Sequence, residues 1–445
     1  MELIKNSIIV RLFVMGFLIL ILLIPVSMIE SLITEREYRR NSVINEINSK
    51  WATQQTISGP ILEIPYKVFH EVNYVEDQKV KKRIKEEIKT AYFLPEHLNI
   101  SGNLLPTTRY RGIYKSIVYT ADLKIEGDFS FPDFEKWKIR DENILWDDVI
   151  FIFGISDMRG INQNINVKWN DSTLIPKPGL RNKNIFDKGI STKVRLKQNR
   201  EALNAFSMKL NIRGSSSVNF LPLGRQTAVQ LNSEWNSPSF QGAFLPKKRV
   251  IDEKGFRATW EIFDFNRDFP QQWTDGKWYL TSSQFGVELF VPVDEYQKTT
   301  RSVKYAVLFI ALTFLAFFLL IELFSRRRVH PIQYLLVGFA LCIFYLLLIS
   351  LSEHLSFDTA YVISAIAIIA LSTFYSRSIA GKMHQVAVMF SIFTGLYGFL
   401  YVMLRLEDYS LLMGTLGLFI ILAAVMFFTR KFDWYNFKMG KNGSG

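Results

Sequence analysis

Six long apolar runs constrain this chain more than any other feature. They lie near residues 8–29, 305–324, 332–351, 358–376, 386–404 and 410–428, and each approaches the roughly 20 residues that carry a helix across about 30 Å of hydrocarbon. One run stands near the N-terminus and five stand together in the last third, with a polar stretch between them. Hydrophobic residues make up 49% of the chain and charged residues 21%, so the two classes are segregated along the sequence. The composition is that of a membrane protein with a large water-exposed part.

The first run, "FLILILLIPVSMIESLI", is too long for the apolar core of a signal peptide and shows no small-x-small cleavage site, so it reads as an uncleaved anchor. Charge in the short segments sets the orientation, because Lys and Arg are retained on the cytoplasmic side. Lys5, Arg11, Arg326, Arg327, Arg328, Arg377, Lys382, Arg430, Lys431, Lys438 and Lys441 fall on one side, while Glu353, Glu407 and Asp408 face a single Arg405 on the other. Both termini are therefore expected in the cytoplasm, with the polar stretch outside a bacterial inner membrane, in the periplasm. The expected divisions are an N-terminus and anchor at 1–29, a helical connector at 30–56, a periplasmic domain at 57–304, a five-helix bundle at 305–430 and a short polar tail at 431–445.

The connector rests on Ile33, Tyr38, Val43, Ile47 and Trp51, whose spacings of roughly four and five suit a helix. From residue 57 the signal changes to short β-branched and aromatic runs broken by Gly, Pro and Asn. In "VYTADLKIEGDF", Val118, Thr120 and Asp122 share one face, and Tyr119, Ala121, Leu123 and Ile125 share the other, as in a half-buried strand. The domain is expected to be mostly β, a sandwich or paired antiparallel sheets. "KVKKRIKEEIK" fits either a strand face or a helix stripe, and its density of charge reads as a solvated surface. The stretch 30–304 carries seven more basic than acidic residues. That mild excess suits anionic lipid headgroups or cell-wall polymers and lacks the dense basic stripe of a nucleic-acid binder. The one cysteine, Cys342, falls mid-membrane, so the domain is stabilised without disulfides.

Catalytic motifs do not stand out. In "HPIQYLLVGFALCIFYLLLISLSEH" the two histidines, His330 and His354, lie about 36 Å apart along a helix and on opposite membrane faces. Ser350, Glu353 and His354 form a polar group at the outer end that suits a nucleophile and base, but equally an ordinary helix terminus. Cys342 reads as packing. Glu322, the one ionisable residue within the five later spans, sits near the cytoplasmic end and is expected to pair or snorkel. Glycines in "GLYG" and "GTLG" are expected to aid helix packing. His70 and His97 are not spaced as metal ligands, and neither metal nor cofactor is expected. In "SEWNSPSFQGAFLP" the aromatic residues read either as a binding loop or as a β-connection packed on its own core.

Four segments resemble the CreD family of inner-membrane proteins: "RYRGIYKSIVYTADLKIEGDF", "SEWNSPSFQGAFLP", "FGVELFVPVDEYQKTTRSVKYA" and above all "VHPIQYLLVGFALCIFYLLLISLSEHLSFDTAY". The resemblance runs from the anchor through the last helices and implies an N-terminal anchor, a large periplasmic domain and a C-terminal helix cluster. It also implies a role in cell-envelope integrity and stress tolerance, commonly under two-component control, and it brings no catalytic residues. The segment "NQNINVKWNDSTLIPKPGLRNKNIFDKG" departs from the family pattern. The combined expectation is a non-enzymatic inner-membrane protein whose partners are the bilayer and a cell-wall component, a lipid or another envelope protein. Tyr114, Tyr119, Trp235 and Phe240 are the candidate contact residues. The alternative is a membrane enzyme or lipid-handling transporter using Ser350, Glu353 and His354.

Overall fold

The computed structural model describes residues 8–76, 79–182, 185–197, 199–274, 278–289, 295–323, 328–380, 382–406 and 409–430. The orientation markers Lys5, Arg326, Arg327, Glu407, Asp408, Lys431, Lys438 and Lys441, and the polar tail, lie outside them. The described residues between Ser42 and Pro292 form one compact unit, and those up to Asn41 together with those from Val293 onward form another.

A single helix, α1 (Ile8–Trp51), opens the chain, so anchor and connector are one continuous element that runs through Pro25. The β unit follows with two long hairpins, β1 (Gln55–Glu76) with β2 (Lys79–Phe93), and β3 (His97–Arg111) with β4 (Tyr114–Phe129). Then come β5 (Ile150–Ile155), β6 (Val167–Trp169), β7 (Ser172–Leu174), β8 (Lys177–Pro178), β9 (Gly189–Lys193), β10 (Asn204–Ser215) and β11 (Ser217–Phe220). The unit is completed by β12 (Gln226–Ser233), β13 (Pro238–Gly242), β14 (Lys248–Asp252), β15 (Gly255–Phe263), β16 (Gln272–Trp273) and β17 (Phe285–Leu289).

These strands form two sheets. The nine-stranded sheet runs β13-β17-β11-β1-β5-β9-β8, with β2 and then β16 added beside β1, and the eight-stranded sheet runs β14-β15-β12-β3-β4-β10-β6-β7. Pairing is antiparallel except for β1 with β11 and β3 with β12. Aromatic residues join the inner faces: Phe151 lies 6.0 Å from Trp169 and 5.8 Å from Phe206, and Trp260 lies 5.7 Å from both Phe240 and Phe285.

Alternation accounts for the outer layer. On β3, Leu98, Ile100 and Leu104 are buried while Asn99, Ser101 and Asn103 are exposed; on β4, Tyr119, Ala121, Leu123 and Ile125 are buried while Asp122 and Lys124 are exposed. Val118 departs from the expected polar face because the end of α1 covers it: Ser116 Oγ, on the same face, donates to Asn48 Oδ1 at 2.6 Å. The charged run "KVKKRIKEEIK" belongs to β2. Its described side chains from Lys82 to Ile88 are exposed, and Lys67–Glu86, His70–Glu87 and Lys82–Glu71 pair across the ribbon at 3.0, 3.1 and 2.8 Å.

The helical unit adds α2 (Glu295–Lys304), α3 (Ala306–Phe317), a π-helical turn (Phe318–Leu323), α4 (Pro331–Ser352), α5 (Phe357–Ile379), α6 (Met383–Arg405) and α7 (Ser410–Thr429). Among the described residues, five helical stretches are long and apolar enough to cross a membrane: Ile9–Trp51, Ala306–Leu323, Pro331–Ser352, Phe357–Ile379 and Met383–Arg405. The sixth apolar run contributes the shorter stretch Leu412–Phe427. Close packing depends on a glycine in α4, since a Cβ on Gly338 would lie 2.2 Å from Leu22 Cδ1 of α1. Of the expected packing glycines, Gly417 meets the Phe399 ring, whereas Gly395 and Gly398 face open space.

Candidate functional site

The four candidate contact residues occupy different environments. Tyr114 opens β4 beside the hairpin turn and is half-buried. Tyr119 is fully buried, and its hydroxyl donates to Ser217 O at 2.7 Å, so it is a core residue with no surface to offer a partner. Phe240 lies on edge strand β13 with its ring 5.8 Å from Phe256, and Trp235 packs on the same core with its indole N–H donating to Ser237 O at 3.0 Å. "SEWNSPSFQGAFLP" is therefore a β-connection packed on its own core rather than a free loop, because its aromatic side chains fill the gap beside Trp260.

The polar group at the end of α4 does not converge. Ser350 and His354 are exposed, whereas Glu353 accepts from the Tyr296 hydroxyl at 2.9 Å and lies 3.6 Å from Arg36. At the other end, His330 caps the helix: its Nδ1 accepts from Ile332 N–H at 3.3 Å, with Pro331 in the first turn. Cys342 is buried. Glu322 is paired as expected, with Arg11 of α1, and its other oxygen accepts from the Tyr334 hydroxyl at 3.1 Å.

A different site emerges on the β unit. β1 is central in its sheet, so "PILEIPY" is buried on both faces, and Glu63 is drawn in with its neighbours to 2% exposure. Leu62 shares its face with Phe93 and Phe151 of the inter-sheet core, which leaves Glu63 on the opposite face. Residues directly opposite across paired strands project to the same side. The register therefore places Lys193, Ile150, Glu63, Tyr92 and Trp273 in one row on that face.

The segment after β8 covers this row. Asn182 Nδ2 donates to the Tyr92 hydroxyl at 2.8 Å, and the Trp273 ring stacks on Tyr92 at 5.5 Å. Glu63 Oε1 has no hydrogen-bond partner. Burial raises its carboxyl to about 7, with the Arg181 guanidinium opposing that rise. Burial, then the nearby Glu63 charge, pushes the Tyr92 phenol up to about 12. Asp148 is held below the usual carboxylate range by Lys193, whose Nζ lies 2.8 Å away. Two clefts meet at Lys193. One, of about 330 Å³, is lined by Asp148, Ile150, Ile175, Lys177, Arg181 and Lys193 among others. The second, of about 680 Å³, extends past Asp147, Trp169, Asp171 and Arg195.

Comparison with known proteins now bears on this architecture. A family model described as inner membrane protein CreD matches residues 7–435. The chain belongs to the CreD family. It is 33% identical over 427 residues to the inner membrane protein CreD of Escherichia coli strain K12, covering 95% of this chain and 93% of that relative. Family membership makes this an inner membrane protein, in agreement with its apolar helices, whose exposed side chains meet the lipid bilayer. The relative's name carries no enzymatic activity.

Sequence reasoning passed over Glu63 although the signal was present. A lone carboxylate inside a continuous apolar run is a buried carboxylate if that run is a central strand. Arg181 and Asn182 come from a polar segment between short strands, and nothing local to them indicates what they cover.

Proposed function

We propose that this protein supports cell-envelope integrity and envelope-stress tolerance by binding or sensing an envelope component through its β unit. In this reading six helices span the inner membrane, both termini are cytoplasmic and the β unit is periplasmic, as the bias of Lys and Arg in the short segments supports. The observation that carries the reading is the pair of clefts meeting at Lys193, whose volumes of about 330 and 680 Å³ suit a small molecule or one unit of a polymer. A membrane enzyme or transporter built on Ser350, Glu353 and His354 is the weaker reading, since Glu353 is held by Arg36 and Tyr296.

Photo-crosslinking in native membranes tests the proposal. A photoreactive residue replaces Ile175, which lines the smaller cleft and is 77% exposed, and in a second variant replaces Lys115, exposed on β4 of the other sheet. An envelope component is expected to attach at position 175 and not at 115. Adducts at neither position, in stressed and unstressed cells alike, would sink the reading.

A further inference from the structure

The smaller cleft carries an unbalanced charge. Lys177, Arg181 and Lys193 line it against a single carboxylate, Asp148. The Asp148 charge is taken by Lys193 at 2.8 Å. Among the described residues, neither Lys177 nor Arg181 has an ion-pair or hydrogen-bond partner for its side chain. Two positive charges thus line, without a hydrogen-bonded counterion, a cavity large enough for a phosphoryl group and part of what carries it, Arg181 acting on Glu63 and Asp148 only through the field of its charge. A guanidinium presents the forked donor geometry that phosphate oxygens accept.

An independent observation lies beneath. Glu63 is buried in the row next to Ile150 of the cleft floor, and its Oε1 is unpartnered. Among the described residues, the charged and titratable groups around it are Arg181 from the covering segment, the Tyr92 phenol from β2, and the mutually paired Asp148 and Lys193 beyond Ile150. A cation entering the cleft would meet Arg181, Lys177 and Lys193 on its walls. The arrangement repels cations and receives anions.

We propose that this cleft is a phosphate-binding site in which Arg181 and Lys177 hold the phosphoryl oxygens and Glu63 takes up a proton as the site fills. The inference rests on the binding role given above to the β unit and names the ligand class for it. The uptake follows from electrostatics. Among the described residues Arg181 is the cation that favours ionised Glu63, and a bound phosphate both occupies that cation and adds a negative charge nearby. Glu63 then retains its proton as a neutral carboxylic acid. By linkage, the Glu63 proton favours phosphate binding as pH falls, by at most about tenfold per pH unit, on top of the change in charge of the phosphate itself. The phosphoryl group has two candidate sources in an envelope, a lipid headgroup or a soluble phosphate ester.

The experiment is calorimetric titration of the full-length protein with inorganic phosphate, in nanodiscs of phosphatidylcholine alone and with added phosphatidylglycerol. Runs at pH 6 and 8, in buffers of different ionisation enthalpy, count the protons taken up. Saturable binding is expected, and lowering the pH from 8 to 6 should favour it more in the unsubstituted protein than in Glu63→Gln. Arg181→Gln should weaken it at least tenfold, and Glu63→Gln should retain binding while taking up fewer protons than the unsubstituted protein, the ionisation of phosphate itself being common to both. Weaker phosphate binding in the anionic nanodiscs assigns the site to a lipid headgroup, and equal binding assigns it to a soluble ester. No saturable phosphate binding in either nanodisc, or binding indifferent to Arg181→Gln, overturns the ligand class. If crosslinking at position 175 nevertheless persists, the broader binding role stands without it; if crosslinking fails as well, both fall.

Discussion

A carboxyl that is buried with one oxygen unpartnered is more stable as the neutral acid, and this fixes how Glu63 responds to pH. Its folded value of about 7 lies above the roughly 4.3 of an exposed glutamate. Between those values the folded chain holds a proton that the unfolded chain has released. The contribution to stability is complete below the lower value, falls as pH rises through the window, and is gone above the upper one. Its full size is on the order of 3 kcal/mol. Glu63→Gln should flatten the decline, melting at a higher temperature than the unsubstituted protein at pH 8 and close to it at pH 5, by thermal unfolding in detergent. An unchanged slope would assign the pH response to other groups. Tyr119 shows what was legible at this scale. The alternation of β4 had already placed it with Ala121, Leu123 and Ile125, and that periodicity decides its place over any tendency of exposed tyrosines to bind partners.

At the scale of elements, the junction where α1 meets the β unit concentrates polar contacts. Trp51 lies between two guanidinium groups, Arg109 at 4.6 Å and Arg213 at 5.1 Å. Its indole N–H donates to Tyr119 O at 3.3 Å. Directly after it, the Asp157 carboxylate accepts from Thr53 N–H at 3.0 Å, Thr53 Oγ1 at 3.1 Å and Arg159 Nη2 at 2.7 Å. Arg159 in turn donates to Ser49 O at 2.7 Å, within the last turn of the helix. Arg159 and the Thr53 donors hold the Asp157 carboxyl well below its usual range, so the contribution of the junction persists above the ordinary carboxylate value and is lost only as pH falls below it. Asp157→Ala removes the shared acceptor of Thr53 and Arg159, whose side chains are exposed and can turn to water, and should cost about 1 kcal/mol, read as faster limited proteolysis at residues 51–55. Cleavage at the wild-type rate would show that Trp51 alone holds the junction. Hydropathy spacing is reason to expect a helix up to Trp51, but its anchoring partners are scattered along the chain and carry no local pattern. The helix α2 escaped for another reason: its buried stripe includes Thr299 and Ser302 beside Tyr296 and Val303, so half of the stripe reads as polar.

For the whole molecule, the apolar runs made the division into a helical part and a β part legible, because segregation of hydropathy survives any detail of packing. They did not reveal how the first helix joins the later ones, since the choice of partner depends on which side chains meet. Among the contacts of that joint, Leu22 seats against Gly338, and Arg11 pairs with Glu322, which is 2% exposed and also accepts from Tyr334. The Glu322 carboxylate lies on a π-helical turn, Phe318–Leu323. Charges in such surroundings are costly unless matched, and removing one partner leaves the other buried and alone. Arg11→Glu should therefore lower the amount of folded protein in the membrane severely, to about a tenth or less, and Glu322→Arg should do the same, because each sets like charges in contact. The double reversal restores an opposite pair in the same place and should recover at least about half of the normal level, a coupling that independent sites would not show. Quantitative blotting of washed membranes against total protein makes the comparison. Recovery absent from the double variant, with each single variant already depleted, would mean that Arg11 and Glu322 stabilise the helical unit through separate contacts.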